Sequence, residues 1–302
     1  MTQKLGFIGL GAMGLSMAKH LACKRSSEEQ QLVVLDIDAS RFSEFNGDPH
    51  VRATTINSDF QDVQFLFLCL PDGDVVEDVL FGEDSVASYL ASDATVVDLS
   101  TTAHGKSLEI GHRLADQGIK FLDAPVSGAP AGAAAGTLTI MCGGDVTTFE
   151  AAQSYLDRMG KTVLHMGPAG SGQLTKTFNN VIYDINIAAL AEILPIAISM
   201  ELDPDKFAEV VTTGTSRSYA SEYFVPRILK RLFDEGYPLG KAYKDLVSVA
   251  AVGAEGAYPL PLTAAATAIY QNALRQGHGD KDKGAMILPV EDLLNVKYTT
   301  KS

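Results

Sequence analysis

A glycine-rich turn near the N-terminus limits the folds open to this chain more than any other feature. An apolar run over residues 5–10 leads into Gly9-Leu10-Gly11-Ala12-Met13-Gly14, and an amphipathic helix pattern follows at once. In a G-x-G-x-x-G turn between strand and helix, the first glycine allows the tight turn, the second admits a pyrophosphate, and the third lets helix pack on strand. The first N–H groups of the helix also attract phosphate. We therefore expect a dinucleotide here, contacted by Gly9, Gly11, Ala12, Met13 and Gly14.

An acidic residue supports this interpretation. Asp36 ends the second apolar run, 22 residues after Gly14. A carboxylate at this place accepts hydrogen bonds from the ribose hydroxyls and repels a 2′-phosphate. NAD is therefore the expected cofactor, and NADP stays possible because Arg41 follows closely enough to meet a phosphate. The alternative is that the glycines only shape a turn and that Asp36 caps a helix beginning near Ala39.

The rest of the chain changes character near residue 166. Before it, apolar runs suited to buried strands alternate with helical patterns; the runs cover residues 5–10, 32–35, 65–70, 95–99, 119–122, 137–142 and 162–165. Alternation of this kind predicts a doubly wound, mostly parallel sheet. After it, we find helical patterns alone, over residues 171–200, 204–213, 217–235, 239–256 and 261–276. The fold class predicted is α/β, with a Rossmann-type domain over 1–166 and an all-helical domain over 167–302, joined by a long helix.

Smaller expectations concern segments between these patterns. The helical patterns of the first half cover residues 12–23, 39–46, 74–90, 103–117 and 146–158. The simple stretch 131–136 is expected to form a tight loop, and the chain after Gly277 is expected to be irregular.

Composition excludes several classes of partner. Lys and Arg number 24 against 37 Asp and Glu, which gives a formal charge of −13. A surface this acidic repels phosphate backbones and anionic lipid, so nucleic acid and membrane are not expected as partners. No apolar run reaches the roughly 18 residues of a membrane span, and no signal peptide is recognised, so we expect a cytoplasmic protein. The three cysteines have no metal-ligand spacing and predict neither a metal site nor a disulfide framework.

Two further segments carry residue types suited to chemistry. Ser127 is followed by small residues, and its hydroxyl with nearby backbone N–H groups can hold a carboxylate. Lys176 and Asn180 lie four residues apart in the long helix and so project from one face. Burying both groups unused on an apolar helix is costly, which favours a functional role. The alternative is a lysine that extends to the rim of an interface.

Six segments in order resemble the β-hydroxyacid dehydrogenases, a family that includes 3-hydroxyisobutyrate dehydrogenase and tartronate semialdehyde reductase. The N-terminal domain is also similar to that of the 6-phosphogluconate dehydrogenases. The six segments are Gly6 to Gly14, Cys69-Leu70-Pro71, Asp98-Leu99-Ser100-Thr101, Asp123 to Thr139, Gly172 to Asn180, and Tyr243-Lys244-Asp245-Leu246.

The resemblance implies an NAD-dependent oxidoreductase that moves hydride between nicotinamide and a short β-hydroxyacid, with Lys176 as general acid and base. Ser127, Gly128 and Ala129 would hold the substrate carboxylate, and Asn180 would orient the substrate. The remaining implied contacts are Thr101 with cofactor and substrate, Leu70, Pro71 and Lys244 with cofactor, and Asp245 and Tyr237 with substrate. A homodimer or homotetramer through the helical domain is implied as well.

The chain departs from the family pattern at three places. Ala129-Pro130 follows Gly128 where a further glycine is usual, Val75 stands where many members have an asparagine, and Tyr237 replaces a phenylalanine. Two other functions therefore stay open: a cofactor-binding scaffold that has lost catalysis, and an imine reductase.

Overall fold

The structure, a computed structural model, describes residues 3–25 and 30–300. It divides into two compact units, Met1–Lys176 and Thr177–Ser302. The sequence analysis puts the domain boundary before the long helix, whereas the division in space falls inside it. We call these the N-terminal unit and the helical unit.

Within the described residues, the N-terminal unit contains a nine-stranded sheet in the order β3-β2-β1-β4-β5-β6-β8-β7, with β9 beside β8. The pairs of β8 with β6 and β7 are antiparallel and the other strand pairs are parallel. The strands are β1 (Lys4–Ile8), β2 (Gln31–Leu35), β3 (Val51–Thr54), β4 (Phe65–Leu68), β5 (Thr95–Asp98), β6 (Lys120–Asp123), β7 (Val126–Ser127), β8 (Leu138–Gly143) and β9 (Gly160–Gly167).

Helices cover both faces of this sheet. They are α1 (Gly14–Cys23), α2 (Gly73–Phe81), α3 (His104–Ala115), α4 (Ala129–Ala135) and α5 (Val146–Leu156), with 3₁₀ helices at Ala39–Phe45, Asn57–Phe60 and Val86–Tyr89. One apolar cluster joins α1 and α5 to the sheet, and a second joins α2 and α3 to it. Because both faces are buried, the central strands are apolar at successive positions, as parallel strands usually are. The predicted doubly wound sheet is confirmed.

Several local expectations for this unit were wrong. The stretch 131–136 lies in α4 and its C-terminal cap, because Pro130 occupies a first turn, where its missing N–H costs nothing. The helix expected over 74–90 ends at Phe81 and resumes as a 3₁₀ turn. The strand β3 was missed because it lies at the sheet edge with its two central residues exposed, which leaves no apolar run.

The helical unit is built around the long helix and its partners. The helices are α6 (Ser171–Ser199), α7 (Pro204–Thr213), α8 (Tyr219–Leu229), α9 (Leu239–Gly256), α10 (Pro261–Arg275) and α11 (Leu288–Leu294), with a 3₁₀ helix at Lys283–Ile287. One apolar core runs from Val181 to Tyr298. The expectation of an irregular tail was wrong, since the 3₁₀ helix at Lys283–Ile287 and α11 form there. A predicted helical region after the sheet domain is confirmed.

By length and composition alone, α6 could cross a membrane, which corrects the expectation that no segment of the chain qualifies. Its most apolar stretch is 44% buried inside the molecule. Core helices of globular proteins pass the same test, so length and hydropathy do not by themselves assign α6 to lipid.

Candidate active site

The glycine turn has the geometry that the motif predicts. Gly9 has φ +96°, and a Cβ there would lie 2.2 Å from the carbonyl oxygen of Cys69. A Cβ on Gly14 would lie 1.9 Å from the carbonyl oxygen of Gly9, so the start of α1 can pack on β1 only through glycine. In contrast, no described atom lies within 4 Å of a Cβ built on Gly11. Two glycines are therefore required by packing, whereas Gly11 leaves space for a ligand to approach the backbone.

Asp36 lies beside this turn, at the end of β2. Its Oδ2 accepts from the Leu10 N–H at 2.5 Å, and its Oδ1 accepts from the Asp38 N–H at 2.8 Å. The helix-capping role belongs instead to Asp38, whose side chain accepts from Ser40 N–H and pairs with Arg41 at 3.2 Å. The alternative role for Asp36 as a cap is therefore wrong. Two carboxylates lie after β2, and Arg41 is already paired with one of them.

A buried polar network organises the carboxyl ends of β4 and β5. The Leu70 N–H donates to Ser100 Oγ at 2.9 Å, which fixes the Leu70-Pro71 turn. Asp98 is fully buried and accepts from the Ser100 N–H at 3.0 Å and the Thr102 hydroxyl at 3.1 Å. Burial raises the pKa of Asp98, and these two hydrogen bonds oppose the rise. The half-buried Thr101 is thus held between two anchored residues.

Gln173, in the first turn of α6, joins this network to the long helix. Its Oε1 accepts from the Thr102 N–H at 3.0 Å, and its Nε2 donates to the carbonyl oxygen of Ser100 at 2.9 Å. Both side-chain ends are therefore used against the segment that contains Thr101. The sequence analysis assigns no role to Gln173; the signal that the sequence offers is its place in the Gly172–Asn180 segment.

Asp123, at the end of β6, caps the start of α6. Its Oδ1 accepts from the Gly170 N–H at 2.7 Å and its Oδ2 from the Gln173 N–H at 2.8 Å. Gly172 permits this approach, since a Cβ there would lie 2.3 Å from the carbonyl oxygen of Met141. Burial raises the pKa of Asp123, and the backbone N–H donors oppose the rise. The half-buried Lys176 follows three residues after Gln173, so its place on α6 is set by the sheet.

The segment Val126–Gly136, here called the serine segment, lies at the edge of the sheet. Ser127 pairs with Thr139 across β7 and β8. Gly128, the N-cap of α4, has φ +140°, and Ala129, the first residue of α4, has φ +56°. The left-handed conformation is costly for alanine, so this departure from the family pattern stores backbone strain at the predicted carboxylate contact.

Thiolate chemistry is unavailable near these residues. Burial raises the pKa of Cys69 to about 12, with a further contribution from the Asp98 carboxylate. Burial likewise raises the pKa of Cys142 to about 12, and Asp123 adds to it.

The helical unit contributes a second group of predicted residues. Asn180 Nδ2 donates to Asp245 Oδ2 at 2.9 Å, which joins α6 to α9. Asp245 is buried, and Lys244 beside it is half-buried. Tyr237, just before α9, is exposed over 53% of its surface. Desolvation raises the pKa of the Tyr237 phenol, and the Asp245 carboxylate adds to the rise.

A buried charge cluster lies one turn beyond Asn180 on α6. Asp184 forms an ion pair with Lys283 and accepts from the Tyr270 hydroxyl at 2.8 Å. Lys283 Nζ also lies 4.6 Å from the centre of the Tyr183 ring. Burial raises the pKa of Asp184, and the Lys283 charge opposes the rise. Sequence analysis missed this cluster because it had treated the tail that contains Lys283 as irregular.

A mostly parallel sheet with a glycine turn, an open Gly11 and an acidic residue after β2 defines an NAD(P)-binding oxidoreductase domain. Residues 4–167 match the family model described as the NAD binding domain of 6-phosphogluconate dehydrogenase. Residues 170–290 match the model described as NAD-binding of NADP-dependent 3-hydroxyisobutyrate dehydrogenase.

Named relatives agree with these models over nearly the whole chain. The chain is 33% identical to 2-(hydroxymethyl)glutarate dehydrogenase of Eubacterium barkeri, covering 98% of this chain and 97% of the relative. It is 31% identical to 2-hydroxy-3-oxopropionate reductase of Escherichia coli, covering 97% and 99%. A solved 3-hydroxyisobutyrate dehydrogenase from Salmonella typhimurium superposes with TM-score 0.83 at 25% identity, covering 95% of this chain and 99% of that one.

The chain belongs to the β-hydroxyacid dehydrogenase family of NAD(P)-dependent oxidoreductases. An imine reductase from Bacillus cereus superposes with TM-score 0.63 at 19% identity, covering 96% of this chain and 99% of that one. That likeness shows a common fold alone.

Proposed function

We propose that this chain interconverts short β-hydroxyacids and their semialdehydes with NAD as the preferred cofactor, and that Lys176 is its general acid and base. The observation that carries the proposal is the anchoring of α6 by Asp123 and Gln173 at the carboxyl ends of the strands. Ligands of doubly wound sheets bind at the carboxyl ends of the strands, where the glycine turn also lies. The anchoring fixes the start of the helix on which Lys176 projects.

The cofactor preference rests on charge. Gly11 leaves room for a pyrophosphate, and the Asp36 carboxylate lies beside the same turn. Asp38 adds a second negative charge and pairs with Arg41, the cation that would otherwise meet a 2′-phosphate. Leu70, Pro71, Thr101 and Lys244 are the other proposed cofactor contacts. When bound, the nicotinamide supplies the hydride acceptor or donor.

The protein's own part in the reaction is proton transfer and orientation. On oxidation, Lys176 Nζ takes the proton of the substrate hydroxyl; on reduction, Nζ returns a proton to the carbonyl oxygen. Ser127 Oγ and the N–H groups of Gly128 and Ala129 bind the substrate carboxylate. Asn180, oriented by Asp245, holds the substrate for the transfer.

The substrate class follows from what the relatives' names share. Three compounds named in these relatives share one feature: a single carbon separates a carboxylate from a primary alcohol or aldehyde carbon. They are 2-(hydroxymethyl)glutarate, 2-hydroxy-3-oxopropionate and 3-hydroxyisobutyrate. Apart from the oxidation level of the alcohol or aldehyde carbon, they differ in the substituent on the carbon between. We assign this chain the same class, with the Tyr237 hydroxyl available to a polar substituent.

Replacement of the lysine tests the mechanism. Lys176→Ala should lower kcat by about 10²–10⁴-fold, the usual contribution of a general acid or base, with NAD affinity near the wild-type value. Lys161→Ala, which removes an exposed lysine of β9, is the matched control and should leave both unchanged. If Lys176→Ala kept more than about a tenth of the rate, another group would be the acid and base.

The helical unit also supports a proposal on assembly. One face of α6 carries exposed apolar side chains, among them Phe178, Ile182, Ile193 and Ile196. We assign this face to contact with a second copy, in a cytoplasmic homodimer or homotetramer. Light scattering on Ile182→Glu/Ile193→Glu should show a smaller species than the wild type; an unchanged mass would exclude this face.

A further inference from the structure

The serine segment is too short to hold its own shape. Its helix α4 has seven residues, Ala129–Ala135, and a helix of this length is unstable in water without tertiary contacts. It begins at a strained residue, since Ala129 has φ +56°. Ser127 is held by its pairing with Thr139, so the contact at the other end of α4 bears on the direction of the Gly128 and Ala129 N–H groups.

That other end is held by a histidine of the cofactor-binding helix. His20, in the last turn of α1, places Nε2 at 3.1 Å from the carbonyl oxygens of both Ala133 and Ala134. Carbonyl oxygens only accept, so Nε2 must carry the hydrogen and donate it to this pair. Both carbonyls belong to the last turn of α4. The Ala133 carbonyl also accepts from the Gly136 N–H at 3.2 Å, so the His20 ring is a second donor to it.

The packing around His20 leaves little freedom. Gly136 ends α4 with φ +65°, and a Cβ there would lie 3.1 Å from the His20 ring. The neighbouring Lys24 donates to the carbonyl oxygen of Arg158 rather than to α4. Ala133 is fully buried. Among these neighbours, His20 is the side chain that hydrogen-bonds α4 to α1.

We propose that His20 is a positioning residue that sets the serine segment relative to the cofactor-binding helix. The glycine turn precedes α1 and Ser127 precedes α4, so His20 connects the element that holds the cofactor to the one that holds the substrate carboxylate. The inference rests on the proposed function of Ser127. It assigns to His20 no contact with substrate or cofactor.

Two substitutions of His20 separate the effect of its hydrogen bond from the effect of the volume of its ring. His20→Phe keeps a ring but removes the donor, whereas a glutamine Nε2 reaches about as far as the histidine Nε2 and can donate. His20→Phe should raise KM for a β-hydroxyacid about tenfold, the scale of one or two lost hydrogen bonds, and leave NAD affinity within about twofold. His20→Gln should restore KM to within about threefold of wild type. His112→Phe, on an exposed histidine of α3, is the control and should change neither value.

The corresponding alcohol, in which the carboxylate of the substrate is absent, serves as a second substrate. A general loss of stability would lower the activity on both substrates equally. His20→Phe should lower kcat/KM for the acid about tenfold and leave the poor activity on the alcohol unchanged. An equal fall on both substrates, or a wild-type KM for the acid, would overturn the proposal.

Ser127→Ala, measured beside these variants, tells the two claims apart. A raised KM in Ser127→Ala with wild-type values in His20→Phe overturns the role of His20 alone. Wild-type values in Ser127→Ala overturn the substrate role of the serine segment, and the inference on His20 with it.

Discussion

Asp98 and Asp123 of the N-terminal unit and Asp184 of the helical unit are buried carboxylates that are held by different kinds of partner. In the N-terminal unit, Asp123 is held by two backbone N–H groups and Asp98 by an N–H and a hydroxyl. In the helical unit, Asp184 is held by the charge of Lys283 and by the Tyr270 hydroxyl. Backbone donors come with the fold and are removed only by substitution with proline, whereas a countercharge is one side chain. The helical unit should therefore be the more vulnerable to a single change.

The largest expected effect is the loss of that countercharge. Lys283→Met leaves Asp184 buried without its cation and should lower the free energy of unfolding by about 3–5 kcal/mol, measured by urea denaturation. Lys281→Met removes a cation whose partner Asp234 is exposed, and it should cost at most about 1 kcal/mol. Adding Asp184→Leu to Lys283→Met should recover part of the loss. If Lys283→Met cost no more than Lys281→Met, the contrast between the two units would be wrong.

Asp123→Asn tests the other side of the comparison. The amide can accept from one of the two N–H groups but presents its own NH₂ to the other, which leaves a buried donor unpaired. The expected cost is about 1–3 kcal/mol in the free energy of unfolding, together with a fall in kcat because the start of α6 moves. Asp93→Asn, on an exposed residue, serves as the control. Wild-type kcat in Asp123→Asn would show that the cap does not position Lys176.

An intermediate effect is expected for Asp282, which precedes Lys283 in the helical unit. Desolvation raises the pKa of Asp282 to about 6, above its ordinary value of 3.8. A raised folded-state pKa favours the protonated form in the folded protein, so its contribution to stability is complete below 3.8 and is lost as pH rises through about 6.

The corresponding measurement compares Tm at two pH values. Asp282→Asn keeps an acceptor for the Gly284 N–H but cannot ionise. The variant should gain Tm relative to wild type between pH 4.5 and pH 7.5, since only the wild type loses its contribution there. A difference between the two proteins that stays constant over this range would show that Asp282 does not titrate within it.

The smallest expected effect belongs to the backbone of the N-terminal unit. Ala129→Gly relieves a left-handed alanine but gives the unfolded chain more freedom, and the two effects are of similar size. The free energy of unfolding should stay within about 1 kcal/mol of wild type, with activity on the hydroxyacid retained. A larger loss would mean that the Ala129 methyl makes a contact that outweighs its strain.

Features that depend on local spacing could be predicted from the sequence, whereas features that depend on tertiary packing could not. The glycine turn, Asp36 and the Lys176–Asn180 pair were available because each depends on local spacing. The strand β3 was not, since an exposed edge leaves no apolar run, and α4 was not, because Pro130 and Gly132 are typical of loops. His20 holds α4 from 113 residues away in sequence, a distance over which no local pattern operates.

The candidate site shows the same limit. The side chains proposed to contact substrate lie in recognisable segments, but no sequence pattern marks the side chains that orient them. Asp123 and Gln173 become important only when β6 and α6 meet, and Lys283 only when the tail folds back on α6. Packing brings these residues together, and composition gives no sign of it.

The order of the elements along the chain gives α6 a further consequence during synthesis. Its residue Asp184 leaves the ribosome 99 residues before Lys283. At about 5–20 residues per second, the nascent chain carries this long apolar helix for about 5–20 s before Lys283 is synthesised. The N-terminal unit has by then emerged in full. The interval in which the nascent protein is most open to aggregation, or to capture by a chaperone, is therefore fixed by the distance between α6 and the C-terminal segment rather than by the stability of the finished molecule.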